Sequence, residues 1–164
     1  MGVKNIYIMS KKTNIERLVA EYTLVAKKHT TDVSALNNGK VITSMDAYHV
    51  LRQIIGDSME INEVFCMLML NQNNMIIGYA VIGVGGQTSC VVDPKMVFRQ
   101  ALIHNAAALI LCHNHPSGNL NASVEDQKIT KKLQSAAQLL DLKILDHIIA
   151  TNTNYFSFAD NGQM

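Results

Sequence analysis

The segment His113-Asn114-His115-Pro116-Ser117-Gly118 carries two histidines two residues apart, and Asp126 follows with ten residues between it and His115. The apolar run Ala107–Cys112 before them reads as a strand, and alternation along its extension sends both imidazoles to one side. Asp126 falls in the first turn of a helix opened by Ser123, and the intervening loop can fold back to bring it near. Two neutral imidazoles and one carboxylate form a recurrent ligand set for a catalytic metal, with one position left for water. Zinc suits this nitrogen and oxygen mixture. Water held by such a zinc loses its proton at a pKa of about 7 and becomes a nucleophile.

Such a site also needs an acid/base that is not a ligand. Glu63 is the candidate, because it immediately precedes the apolar run Val64–Leu70, and Glu60 is the alternative close by. Ser123 is well placed to cap its helix, with Asp126 three residues on. It could also donate to the oxyanion formed when water adds to a carbonyl. Asp146 and His147 either orient a ligand from behind or form a hydrogen-bonded pair beside the sheet. His104 ends a helix, where the dipole favours a cation, and reads as structural. His29 and His49 read as surface residues, and Met67, Met69, Met75 and Met96 as core filler. Cys112 points away from the histidine face and is not counted as a ligand.

The elements that position these groups follow from pattern. Ser44 can cap a helix with apolar positions at Ala47, Val50, Leu51, Ile54 and Ile55, and Gly56 can stop it. Val64–Leu70 and Met75–Ile82 read as a hairpin across Asn71-Gln72-Asn73-Asn74. Thr88–Val92 is expected to add a third strand after the glycines at 83, 85 and 86. Asp93-Pro94 marks a helix start, and that helix should run to about His104. Ala107–Cys112, with no polar break, belongs in the centre of a sheet. The helix from Ser123 should end near Leu140, with Lys143–Ala150 and Tyr155–Phe158 closing the sheet. Residues 1–40 read as an N-terminal arm, in which Ile15–Lys28 is either a helix or an edge strand and loop. Residues 41–164 form the domain. The expected class is α/β, a mixed sheet sandwiched by helices.

The 164 residues suit one domain, and 48% apolar content suffices for a core. The formal net charge is +1, without the basic surplus of a strong nucleic-acid binder. Lys11-Lys12, Lys27-Lys28 and Lys131-Lys132 are only short pairs. Three cysteines at unrelated spacings, Cys66, Cys90 and Cys112, make no disulfide framework. They suit a reducing compartment. No signal peptide or membrane span is evident, so a cytoplasmic setting without membrane attachment is expected. The Met-rich hairpin and the arm could support a homodimer.

His-x-His-Pro followed by Ser-x-x-Asp resembles the JAMM (MPN-plus) metalloprotease motif. Glu63-Val64-Phe65, Val92-Asp93-Pro94, His104 to Ala108, His113 to Gly118, Ser123 to Asp126, Asp146-His147 and Tyr155 to Phe158 together resemble RadC proteins, over roughly residues 40–160. The resemblance implies a JAMM/MPN-like, cytidine-deaminase-like fold. It implies Zn2+ on His113, His115 and Asp126, Glu63 as acid/base and Ser123 as oxyanion helper. Asn114 stands where eukaryotic deubiquitinating members often carry Ser or Thr, which argues against a ubiquitin-type substrate. Residues 1–40 are too short, and of the wrong pattern, for the helix-hairpin-helix region of full-length RadC proteins.

The leading expectation is zinc-dependent hydrolysis of a peptide or isopeptide bond in a peptide or protein substrate. A DNA repair or recombination factor is the second reading, with DNA as partner, and a binding module with a vestigial metal site is the third. A nucleotide deaminase is excluded, since neither His-x-Glu nor Cys-x-x-Cys occurs. The stretches Gly83–Thr88 and Asn119–Ala122 lie near enough to shape specificity.

Overall fold

The computed structural model describes residues 39–164 and, before them, the backbone of two short strands. Strands β1 (Asn5–Ile8) and β2 (Arg17–Ala20) pair antiparallel, with Asn5 opposite Ala20. The edge-strand alternative for Ile15–Lys28 therefore applies at Arg17–Ala20; the remainder of that segment, and His29, lie outside the described residues. The chain divides into two units, Met1–Thr30 and Thr31–Met164.

The second unit is built on two strands that are apolar along most of their length. Strands β3 (Val64–Leu70) and β5 (Ala108–Asn114) are buried at every position. Burial of both faces requires cover on both sides, and the helices provide it. The sheet runs β4 (Ile76–Val84), β3, β5, β6 (Lys143–Ala150), β7 (Tyr155–Ser157), so β5 is central. Only β5 and β6 are parallel. A parallel pair needs a long connection, and α3 (Val124–Gln138) supplies it.

One face carries Cys66, Leu68, Leu70, Ile110, Cys112 and Ile148 against Ala47, Val50, Leu51 and Ile55 of α1 (Ser44–Ile55). The other carries Phe65, Met67, Met69, Leu109 and Leu111 against α2 (Pro94–Ile103) and α3. Met67 and Met69 are thus core residues, whereas Met75 and Met96 are only half-buried. At about 25 cal/mol per Å2 of apolar area, these two layers supply the driving force that orders the sheet.

Two expectations are corrected. Thr43, one residue before Ser44, is the cap of α1: its side chain accepts from the Asp46 amide. Thr88–Val92 forms no strand. After β4 the chain turns, with the Gly86 amide donating to the Ser89 carbonyl at 3.2 Å. The returning segment packs flat against glycine backbone: a Cβ on Gly85 would meet the Ser89 oxygen at 1.9 Å, and one on Gly83 the Cys90 sulfur at 2.8 Å. The glycines permit close approach of backbones in place of a ladder.

Candidate metal centre

β5 ends in His113-Asn114 and leads into His115, whose amide still donates to the Ala150 carbonyl of β6 at 3.1 Å. The extended register therefore persists through both histidines, and their Nε2 atoms lie 3.0 Å apart. A turn closed by the Gly118 amide on the His115 carbonyl, with Gly118 at φ +77°, reverses the chain toward α3. Ser123 caps that helix and shares a capping box with Asp126. Asp126, Thr130, Leu133 and Ala137 recur at helical spacing on the face that meets the sheet, the last three buried. Asp126 Oδ1 lies 3.1 Å from His113 Nε2, and its Oδ2 lies 3.8 Å from His115 Nε2. The three side chains offer ligand atoms all within 4.8 Å of one another, a group that could hold a metal ion.

The donor set is suited to a cation. His115 Nδ1 lies 2.6 Å from the Asn119 carbonyl oxygen, which can only accept, so the hydrogen of a neutral His115 sits on Nδ1 and its Nε2 is bare. That lone pair, a carboxylate and a second imidazole nitrogen converge on one point. Although half-burial pushes the Asp126 carboxyl up, contact with His113 and the Ser123 hydroxyl and amide holds it well below the usual carboxylate range.

Glu63 lines the same cleft, of about 510 Å3, together with His113, His115, Ser123 and Asp126. Its backbone is fixed against the glycine turn: its amide donates to the Gly86 carbonyl at 2.7 Å and its carbonyl accepts from Gly85 at 2.8 Å. Glu60 is absent from that wall; its carboxylate accepts from the Asn152 side chain at 2.8 Å. Both loops expected near the site line it, through Gln87 and Thr88 and through Asn119 and Asn121. Ser123 also lies on the cleft wall, but its hydroxyl donates to Asp126 Oδ2 at 2.6 Å.

Asp146 and His147 part company. A register shift between Leu109 and Ile110 pairs Asp146 with Ile110 and His147 with Leu111. Partners in register share a face, so His147 turns to the histidine side, 2.9 Å from His113 Nδ1. Asp146 turns away and accepts from the Ser157 hydroxyl and the His147 and Ala159 amides. Burial drives the His147 pKa well below that of free histidine, which favours the uncharged ring. His104, as expected, stays in its helix end, with Nδ1 against the Gln100 carbonyl at 2.8 Å, and His49 is exposed.

The roles of two residues escaped the sequence reading. Asn114, fully buried, faces away from the histidines. Its Oδ1 accepts from the Val64 amide at 2.8 Å, and its Nδ2 donates to the Met59 and Asn62 carbonyls, each at 2.9 Å. It clamps the segment bearing Glu63 onto the strand bearing the histidines. Its place between two candidate ligands was the available signal. Thr130 reaches His147 Nδ1 at 2.6 Å; its signal was the four-residue helical step from Asp126.

Residues 41–163 match the model of the RadC-like JAB domain. The chain belongs to this family. Among relatives of this RadC-like JAB domain protein, the UPF0758 protein of Flavobacterium johnsoniae is 43% identical over 145 residues, covering 88% of this chain and 62% of the relative. A UPF0758 protein of Saccharophagus degradans is 46% identical over 101 residues, covering 62% and 45%. The UPF0758 protein YfjY of Escherichia coli is 44% identical over 100 residues, covering 61% and 62%. The chain thus spans less than two thirds of the length of these relatives. The RadC-like JAB fold accounts for the mixed five-stranded sheet with helices on both faces. No helix among the described residues is long and apolar enough to cross a membrane.

Proposed function

We propose that this RadC-like JAB domain is a zinc-dependent hydrolase of amide bonds, of the metallopeptidase or isopeptidase type. The supporting observation is the convergence of His113 Nε2, His115 Nε2 and the Asp126 carboxylate on a cleft that Glu63 also lines. His113, His115 and Asp126 would hold the ion. When bound, zinc supplies a Lewis acid and makes water acidic enough to act as a nucleophile near neutral pH.

Each remaining role falls to a residue of the chain. Glu63, fixed at its backbone and lining the cleft, takes the proton of the attacking water and returns it to the leaving nitrogen. Ser123, at the mouth of α3, would steady the carbonyl oxygen as it gains charge by turning its one hydroxyl hydrogen from Asp126 Oδ2 toward that oxygen. Phe65, Val92 and Ile129 give the cleft apolar wall for a substrate side chain. Among the described residues, the cleft lining contains Glu63, Glu125 and Asp126 and no lysine or arginine. That balance suits a neutral or basic peptide and is unfavourable for a phosphate backbone, which requires basic contacts. Free thiols at Cys66, Cys90 and Cys112 agree with a cytoplasmic setting.

A screen of zinc-loaded protein against peptide and isopeptide libraries, with Glu63→Gln as control, tests the assignment. Loss of an acid/base should lower turnover by about 100- to 10,000-fold while the variant keeps its zinc. Equal cleavage by Glu63→Gln and the parent would remove Glu63 from the mechanism.

A further inference from the structure

Behind His113 lies a polar chain with no outlet to water. His113, Thr130 and His147 are each at most 1% exposed. Thr130 Oγ1 sits 2.6 Å from the Asp126 backbone carbonyl and 2.6 Å from His147 Nδ1. His147 Nε2 sits 2.9 Å from His113 Nδ1. His113 Nε2 then faces the Asp126 carboxylate at 3.1 Å. The path begins on the main chain of Asp126 and returns to its side chain, joining α3, β6 and β5 in a closed ring.

Hydrogen count fixes the direction of each bond from the Asp126 backbone carbonyl to His113 Nδ1. A carbonyl oxygen only accepts, so the single hydrogen of Thr130 points to Asp126. His147 Nδ1 must therefore bring its own hydrogen to the Thr130 oxygen. A neutral imidazole carries one N–H, so His147 Nε2 is bare. The 2.9 Å contact with His113 must then be donated by His113 Nδ1. In neutral His113 that leaves Nε2 with an unshared pair, aimed at the point where Asp126 and His115 converge. Phe158 stacks on the His147 ring with centroids 4.9 Å apart, and Phe65 meets its edge at 5.5 Å, so packing holds the ring plane.

We propose that Thr130 and His147 are positioning residues that set the tautomer of His113, presenting its Nε2 lone pair to the metal. The inference rests on His113 being a ligand, the reading given under Proposed function. Thr130 acts on the ion through His147 and His113: without its oxygen, His147 loses the acceptor that holds its hydrogen on Nδ1. His147 can then place that hydrogen on Nε2 and force His113 into the tautomer that cannot ligate.

The test compares Thr130→Val, which keeps the shape and removes the hydroxyl, with Thr130→Ser, which keeps the hydroxyl, in the full chain. Zinc affinity is read by competition with a chromophoric chelator, and histidine tautomers by nitrogen-15 NMR of metal-free protein. Thr130→Val should weaken zinc binding by about 10- to 100-fold, the usual cost of losing an outer hydrogen-bonding partner, and should shift the His147 hydrogen. Thr130→Ser should match the parent in both. Equal affinity of Thr130→Val and the parent would overturn the proposal. So would a His147 hydrogen on Nε2 in the parent, a readout that survives even if Thr130→Val fails to fold. A parent that binds no zinc but carries the His147 hydrogen on Nδ1 would defeat the metal reading and uphold the relay.

Discussion

Helices α1 and α3 begin with the same device and use it differently. Thr43 and Asp46 form one capping box, Ser123 and Asp126 the other. In both, the aspartate accepts from the cap residue's amide at 2.8 Å, and the cap oxygen accepts from the aspartate's amide, at 3.2 Å in α1 and 3.0 Å in α3. Asp46 takes a second amide, from Ile42 at 2.9 Å, and its work is complete. Asp126 caps with Oδ2 and leaves Oδ1 against His113. A capping box is thus a way of orienting a carboxylate rigidly, and whether that carboxylate becomes a ligand depends on what the sheet presents opposite it. Opposite α3 stand two imidazoles.

The largest contrast should be in metal affinity. Asp126→Ala is expected to weaken zinc binding by more than the roughly 100-fold upper range for loss of an outer partner, and Asp46→Ala to leave it unchanged. Metal content after dialysis against a weak chelator measures both; equal zinc in the two variants would erase the distinction. A smaller separation should come from the caps. Thr43→Ala and Ser123→Ala should each cost about 1 kcal/mol of stability in urea denaturation. Only Ser123→Ala should also slow turnover, by about 100-fold if its hydroxyl steadies the developing oxyanion. Turnover equal in these two would reduce Ser123 to a cap.

The smallest effect concerns acid. Amide hydrogen bonds from Ile42 and Thr43 outweigh slight burial and lower the Asp46 pKa, while Asp126 is held lower still. For a carboxylate depressed on folding, the stabilisation is complete above its unfolded pKa, about 3.9. It is lost as pH falls through the folded value. In metal-free protein, carboxyl carbon-13 titration should show Asp126 protonating below Asp46, and Asp126→Asn should flatten the acid limb of stability more than Asp46→Asn. The reverse order would mean that the Ser123 hydroxyl and amide, with any hydrogen carried on His113 Nε2, do not support the Asp126 charge.

Legibility in the sequence varied with the range of the interaction. β3 and β5 were plain because an almost unbroken apolar run has few other places to go. Asp93 as a helix cap and Asn71–Asn74 as a turn were plain because those side chains bond their own neighbours. Thr88–Val92 misled because its strand-like composition is satisfied by packing on Gly83 and Gly85, a contact that composition does not record. The choice between Asp146 and His147 lay beyond pattern. A shift of one residue reverses which side chains face each side of a sheet. The irregularity beside Leu109 and Ile110 makes that choice in favour of His147. In the sequence Asn114 spoke only to substrate type, yet its amide binds three backbone groups of the Glu63 segment at 2.8 to 2.9 Å.

The amino-acid order alone determined the donor types, their spacing, the helix caps and the apolar strands, since each depends on chemistry within a few residues. Tertiary structure decided that Asp126 meets His113, that His147 and Thr130 stand behind it, and that Glu63, not Glu60, lines the cleft. Those outcomes depend on strand register and on backbone contacts between segments remote in the chain, and a single residue of slip would have undone them.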